Sequence, residues 1–279
     1  MKTARQAFSS LNNFFRSTIG SISSAEKKAI AAAAPILILA SSLPVTLILL
    51  KQAPGQRFSG LELSSSDDLA VYFSYIYQAS SGNFYLKNLY TLDEGAGTIN
   101  LVWQAMGVFA KIFGLSPQHA FHVFRIILIP LLVFVFYFSV SFFIKNRAER
   151  ITALFLALFG SGVGAWLYPF LKIESWSISG KFSAPLDLSV PEFSPFWSSL
   201  YSPHFILSWI CLAASVVLLI KTFEDSSLKK AVLAGTIGFF YFHFHPYYAP
   251  FLATFAFGLF IYSWAQKSEL KRPLLALIV

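Results

Sequence analysis

The chain is 279 residues long, 56% of them hydrophobic and 12% charged, with 31 phenylalanines and a formal net charge of +8. At a mean hydropathy of +0.63 it carries more apolar surface than a soluble core of that size uses, which excludes both an ordinary soluble domain and a solvated, disordered chain. Its single cysteine, Cys211, lies in an apolar run, which excludes an intrachain disulfide and a cysteine-based metal site.

In chain order, residues 1–28 form a polar-rich N-terminal segment, read as cytoplasmic. Within it Phe8, Leu11, Phe15 and Ile19 share one helical face, flanked by Arg5, Asn12 and Arg16. Two readings stand for this stretch: an interfacial helix on the cytoplasmic leaflet, and a disordered basic tail. The first apolar run starts too late for a typical cleaved signal peptide. From residue 29 to residue 279 the chain reads as one transmembrane domain, because about 20 apolar residues cross a bilayer as a helix. Spans are expected at about 29–50, 120–144, 151–170, 205–220, 231–244 and 248–264. A further run begins at 273 and continues through Val279, so the chain is expected to be an N-terminal fragment or to lack further helices.

Two external loops are expected between these spans, at 51–119 and 171–204. The first is too long for a turn. It reads as a polar connector, a helix opened by Ser64-Ser65-Ser66-Asp67-Asp68, a glycine-containing connector at 93–97, and an apolar helix over 98–114 carrying Lys111. That second helix is expected to lie in the outer interface or dip into the membrane, since a crossing there would invert every later segment. The second loop holds Pro185, Pro191, Pro195 and Pro203 with Trp176 and Trp197, a composition that suits an interfacial lid. Around Pro246 and Pro250 a bend is expected, leaving His243 and His245 in a cavity below the headgroups.

Lys and Arg set the orientation. The segments before Ala29 and at 145–150, 221–230 and 265–272 hold 14 basic and five acidic residues, against seven and eight in the remainder. The positive-inside rule then makes the N-terminus cytoplasmic. The positive charge is a topology and lipid-headgroup signal, with no nucleic-acid partner implied.

The candidate residues gather on the expected outer side. Asp68, Tyr72 and Tyr75 share one face of the first loop helix, with Leu69, Phe73 and Ile76 on the next. Serines and aspartates at a helix start serve as caps, which accounts for one of the two carboxylates. The other is open to two further uses: accepting a proton as a general base, or, with its neighbour, holding a divalent cation on hard oxygen ligands. Arg125 sits early in its apolar run, where it either snorkels to headgroups or contacts an anion such as a phosphate. His204, in Ser202-Pro203-His204-Phe205, and His243 and His245, before Pro246, are either satisfied polar groups or site residues. The spacing of His243 and His245 does not fit the i, i+4 pair of a helical zinc site. Gly160 and Gly164 read as a small-xxx-small pair for close helix packing, not as a nucleotide loop.

These features together resemble the GT-C superfamily of integral-membrane glycosyltransferases. The resemblance rests on an acidic pair near the start of a long first external loop, two loop helices, and an arginine early in the next span. It rests also on the stretches Asp68-x-x-x-Tyr72-Phe73-Ser74-Tyr75-Ile76, Pro185-Leu186-Asp187-Leu188-Ser189-Val190-Pro191-Glu192, Ser202-Pro203-His204-Phe205 and His245-Pro246-Tyr247. It implies an all-α, polytopic GT-C-like fold in the cytoplasmic membrane. The implied activity is sugar transfer from a polyprenyl-phosphate-linked donor to a glycan, lipid or protein acceptor at the outer face. By that resemblance Asp68 or Asp67 is the catalytic base or metal contact, with a divalent cation as the only cofactor in view. Arg125 meets donor phosphate, and Tyr72, Tyr75, Glu192, His204, His243 and His245 shape the pocket. Members of the superfamily are generally longer than this chain. Two rival readings stay open: a transporter or flippase of lipid-linked glycans, and a non-catalytic membrane protein.

Overall fold

The computed structural model describes residues 22–56, 66–91, 97–160, 190–225 and 227–265, with positions 20, 59, 95, 162–164, 167 and 170. Among the described residues every regular element is helical, apart from one isolated antiparallel bridge between Leu86 and Thr98. The helices are α1 (Ser24–Leu50), α2 (Ser66–Ser80), α3 (Leu101–Phe113), α4 (Pro117–Phe143), α5 (Arg147–Phe159), α6 (Pro195–Tyr201), α7 (Pro203–Asp225), α8 (Leu228–Phe244) and α9 (Ala249–Ala265). Short 3-10 turns at Pro191–Phe193 and Pro246–Tyr248 precede α6 and α9. Helices α1, α4 and α7 and the segment Pro246–Ala265 are long and apolar enough to cross a membrane.

One feature differs from the sequence reading. The expected span 151–170 is not one helix, because α5 ends at Phe159 and Gly160 takes an extended conformation with φ −66° and ψ 134°. A Cβ at Gly160 would stand 2.3 Å from the Leu156 carbonyl oxygen. The glycine is therefore required by the chain's own turn, and the expected helix-packing role of Gly160 with Gly164 is corrected accordingly. The region 231–264 resolves into α8 and α9, parted at His245, whose φ of −147° and ψ of 76° leave the helical region. The expected interfacial helix within 1–19, the lid residues Trp176 and Pro185, and the run from 273 lie outside the described residues.

The chain divides into two compact units, one of Met1–Pro35, Leu131–Gly160 and Leu207–Val279, the other of Ile36–Pro130 and Ser161–Ile206. In the first unit the start of α1 is tied down by Glu26, which is buried. One Glu26 oxygen accepts from the Ser23 N–H (2.8 Å) and hydroxyl (2.7 Å), and the other from the Tyr137 hydroxyl (2.9 Å) and Arg150 (3.3 Å). Ser23-x-x-Glu26 is thus a capping box, the Glu26 N–H in turn donating to Ser23 Oγ. Asn146 caps α5 by accepting from the Ala148 N–H.

The second unit is built on the α2–α3 hairpin. Leu69, Phe73, Ile76 and Ala79 of α2 are buried, as are Val102, Trp103, Met106 and Ala110 of α3. Asn100 caps α3 through its side chain, and Gly114 closes it with φ of 63°. Gln78 pins the returning chain by accepting from the Lys87 N–H and donating to the Lys87 carbonyl. The two helices cross at Gly107, where an added Cβ would lie 2.3 Å from the Ala79 Cβ and 2.8 Å from the Ser80 nitrogen. Gly107→Ala is expected to part the helices at a cost of about 1–3 kcal/mol. Limited proteolysis within 81–100 should accelerate in that variant, and an unchanged rate would sink the prediction.

Candidate functional site

The second unit gathers most of the expected site residues. Asp68 lies in the first turn of α2 and is exposed, while Tyr72, one helical turn on, is half-buried. The Tyr72 ring stacks on Trp103 of α3, with centroids 4.7 Å apart and planes 18° apart. Both rings meet the edge of His204, at 4.9 Å from Tyr72 and 5.2 Å from Trp103. Each pairing adds about 0.5–1.5 kcal/mol beyond its buried area, so three helices fix the imidazole.

His204 is positioned from its own side as well. Ser202 ends α6 in an extended conformation, with φ −156° and ψ 142°, as the residue before a proline prefers. From there its hydroxyl shares a 2.6 Å hydrogen bond with His204 Nδ1. Proline at the first position of α7 then starts a helix without needing the lost N–H.

The second carboxylate of the site is Glu192. It sits in the 3-10 turn Pro191–Phe193, which is fastened to α6 by the Ser198 hydroxyl donating to the Pro191 carbonyl at 2.8 Å. Ser194 caps α6 by accepting from the Trp197 N–H. Burial raises the pKa of Glu192 above the ordinary carboxylate value, and the charge of Asp68 raises it further. The folded state is therefore the better proton binder at this carboxyl. Its contribution favours folding below the ordinary value and is lost as pH rises through the raised one.

Tyr75, on the same helix, is half-buried, and burial raises its phenol pKa. The side chain of Asp67 lies outside the described residues, as do those of Ser64, Ser65 and Ser66. Among the described residues no group of three or more His, Cys, Asp or Glu is placed to hold a metal ion.

Arg125 is buried, at 1% exposed, and its guanidinium is engaged within the protein. Nη1 donates to the Ser41 carbonyl (3.0 Å), the Ser41 hydroxyl (3.0 Å) and the Ser199 carbonyl (2.7 Å), and Nη2 to the Ser42 hydroxyl (3.1 Å). The arginine is a clamp joining α1, α4 and α6.

His243 and His245 belong to the first unit. His243 is exposed near the end of α8, whereas His245 is buried two residues on. The His245 ring lies 5.2 Å from Tyr248 and 5.4 Å from Tyr247, and nearly parallel to Tyr241 at 6.3 Å.

Sequence reasoning missed Trp103, Ser202 and the serine partners of Arg125. A signal existed for the last: two adjacent serines within one apolar run and an arginine within another each call for polar partners. Nothing comparable marks Trp103, which looks like any apolar helix residue until Tyr72 stacks on it. No known protein family, characterised protein or solved structure matches the chain.

Proposed function

We propose that the chain is a membrane glycosyltransferase acting at the water-facing start of α2, with a polyprenyl-phosphate-linked sugar as donor. The observation that supports it most is exposed Asp68 one helical turn before the Tyr72–Trp103–His204 rings, its charge felt by Glu192, whose carboxyl pKa burial raises above the ordinary carboxylate value. Two carboxyl groups, one exposed and one half-buried, suit acid–base work. In the transfer, an acceptor hydroxyl oxygen attacks the anomeric carbon as the bond from that carbon to the phosphate oxygen breaks. The polyprenyl phosphate leaves with the electron pair, Asp68 takes the hydroxyl proton, and the configuration inverts. Tyr72 and His204 border the site, and Glu192 lies near enough to Asp68 to feel its charge.

Asp68→Asn keeps the size of the side chain and removes the base. Transfer from a short-chain lipid-linked sugar in proteoliposomes is expected to fall by about 10²–10⁴-fold. The same variant should lower the pKa of Glu192, read by isotope-edited infrared spectroscopy, because a neighbouring negative charge is gone. Undiminished transfer would remove the base assignment.

One observation favours a second reading, a transporter of lipid-linked glycans. The helical path is broken at His245, with a buried imidazole at the break, and broken helices line transport sites. In that case His245→Phe would abolish translocation of a fluorescent lipid-linked glycan, and Asp68→Asn would leave it intact.

A further inference from the structure

We propose that α3 is a membrane-surface anchor, its outward stripe of Leu101, Ala105, Val108 and Ile112 seated in the lipid of the leaflet that α4 enters. At 100° per residue these four lie within about 60° of one another. They stand opposite Val102, Trp103, Met106, Gly107 and Ala110, which face the hairpin core. The helix is thus apolar on both sides, and its outer side is uncovered: Leu101 is 48% exposed, Val108 50% and Ile112 69%. A contiguous apolar stripe of this kind marks a contact surface.

The placement of α3 identifies lipid as the occupant. Three residues, Gly114 to Ser116, join it to α4, which allows at most about 14 Å between Phe113 and Pro117. Moreover, Phe109 packs edge-on against Phe124 of α4, with centroids 5.1 Å apart. Phe124 lies roughly 10 Å into α4, so α3 runs beside the first turns of an apolar helix long enough to cross the membrane. A stripe at that level meets acyl chains and headgroups.

The surroundings of the stripe have the chemistry of an interface. Exposed Lys111 flanks it on a stem long enough to carry its ammonium to lipid phosphate. On the same flank Gln104 donates to the carbonyls of Asn83 (2.9 Å) and Phe84 (2.8 Å). That bond holds Phe84 and Tyr85, both exposed, beside α3, as aromatic residues collect at membrane surfaces. The anchor keeps the α2–α3 hairpin, and Asp68 with it, close to the bilayer. It holds whether or not the glycosyl-transfer reading does.

Site-directed quenching tests it on the full chain with Cys211→Ser. Val108→Cys and Ile112→Cys are each labelled with an environment-sensitive fluorophore and reconstituted into phosphatidylcholine vesicles. Doxyl-labelled lipid is expected to quench both sites at least about twofold more than aqueous iodide does. Iodide quenching as strong as that of the free probe in water would overturn the proposal. So would protection from both quenchers with crosslinking of Val108→Cys between copies, which would make the stripe a protein interface. On the unsubstituted chain, a diazirine-bearing lipid should label the Leu101–Phe113 peptide, and its absence among the labelled peptides would also refute the anchor.

Discussion

Arg125→Met is expected to destabilise the protein by about 3 kcal/mol, seen as a fall in Tm of roughly 6–12 °C for the detergent-solubilised chain. The arginine donates to the Ser41 carbonyl and hydroxyl and the Ser199 carbonyl, which share the two hydrogens of Nη1, and from Nη2 to the Ser42 hydroxyl, all oxygens on α1 and α6. Each bond from a charged donor contributes about 1.5–3 kcal/mol. Their sum is offset in part by the cost of burying a guanidinium, which methionine avoids. Arg125→Lys should fall between, because an ammonium on a flexible stem cannot reproduce the planar fork. Ser42→Ala, which removes one acceptor, should cost only about 1–1.5 kcal/mol. This ordering separates a clamp from a ligand contact. A phosphate-binding arginine would lose donor affinity on substitution while Tm held, so an unchanged Tm in Arg125→Met would remove the clamp.

The case of Arg125 also marks where sequence reading stops. Its position in an apolar run showed that it needed polar partners, but those partners lie 84 residues upstream and 74 downstream. No local pattern connects them. Features set by local spacing were legible: the all-helical class, the long apolar helices, and the face of Leu69, Phe73 and Ile76 that packs inward on α2. Features set by one backbone turn were not. The run 151–170 has the composition of a span, yet Gly160 ends α5 within it. For the candidate site, Asp68, Tyr72, Glu192 and His204 were legible as residue types that water and lipid would not leave idle. Trp103, the ring that joins Tyr72 to His204, is an ordinary apolar residue until tertiary packing gives it that role.

Glu26→Ala is expected to destabilise the first unit by about 3–5 kcal/mol, because it leaves buried partners without their charge. Glu26 has no exposed surface, and the Arg150 side chain that reaches it is only 16% exposed. Tyr137, also buried, would lose the acceptor for its hydroxyl. Ser23 would lose the acceptor for both its N–H and its hydroxyl. A cap alone accounts for only about 1 kcal/mol of this, so the excess measures the Tyr137 and Arg150 contacts. Glu26→Gln keeps an oxygen for some of these donors and should cost less than Glu26→Ala. Arg150→Met leaves Glu26 with three neutral donors and should cost less again. Combining Arg150→Met with Glu26→Gln should give a coupling energy between about 0.5 and 3 kcal/mol, measured by thermal unfolding of the four proteins in one detergent. Strict additivity would show that Arg150 adds nothing to the carboxylate, and that Ser23 and Tyr137 hold Glu26 without it.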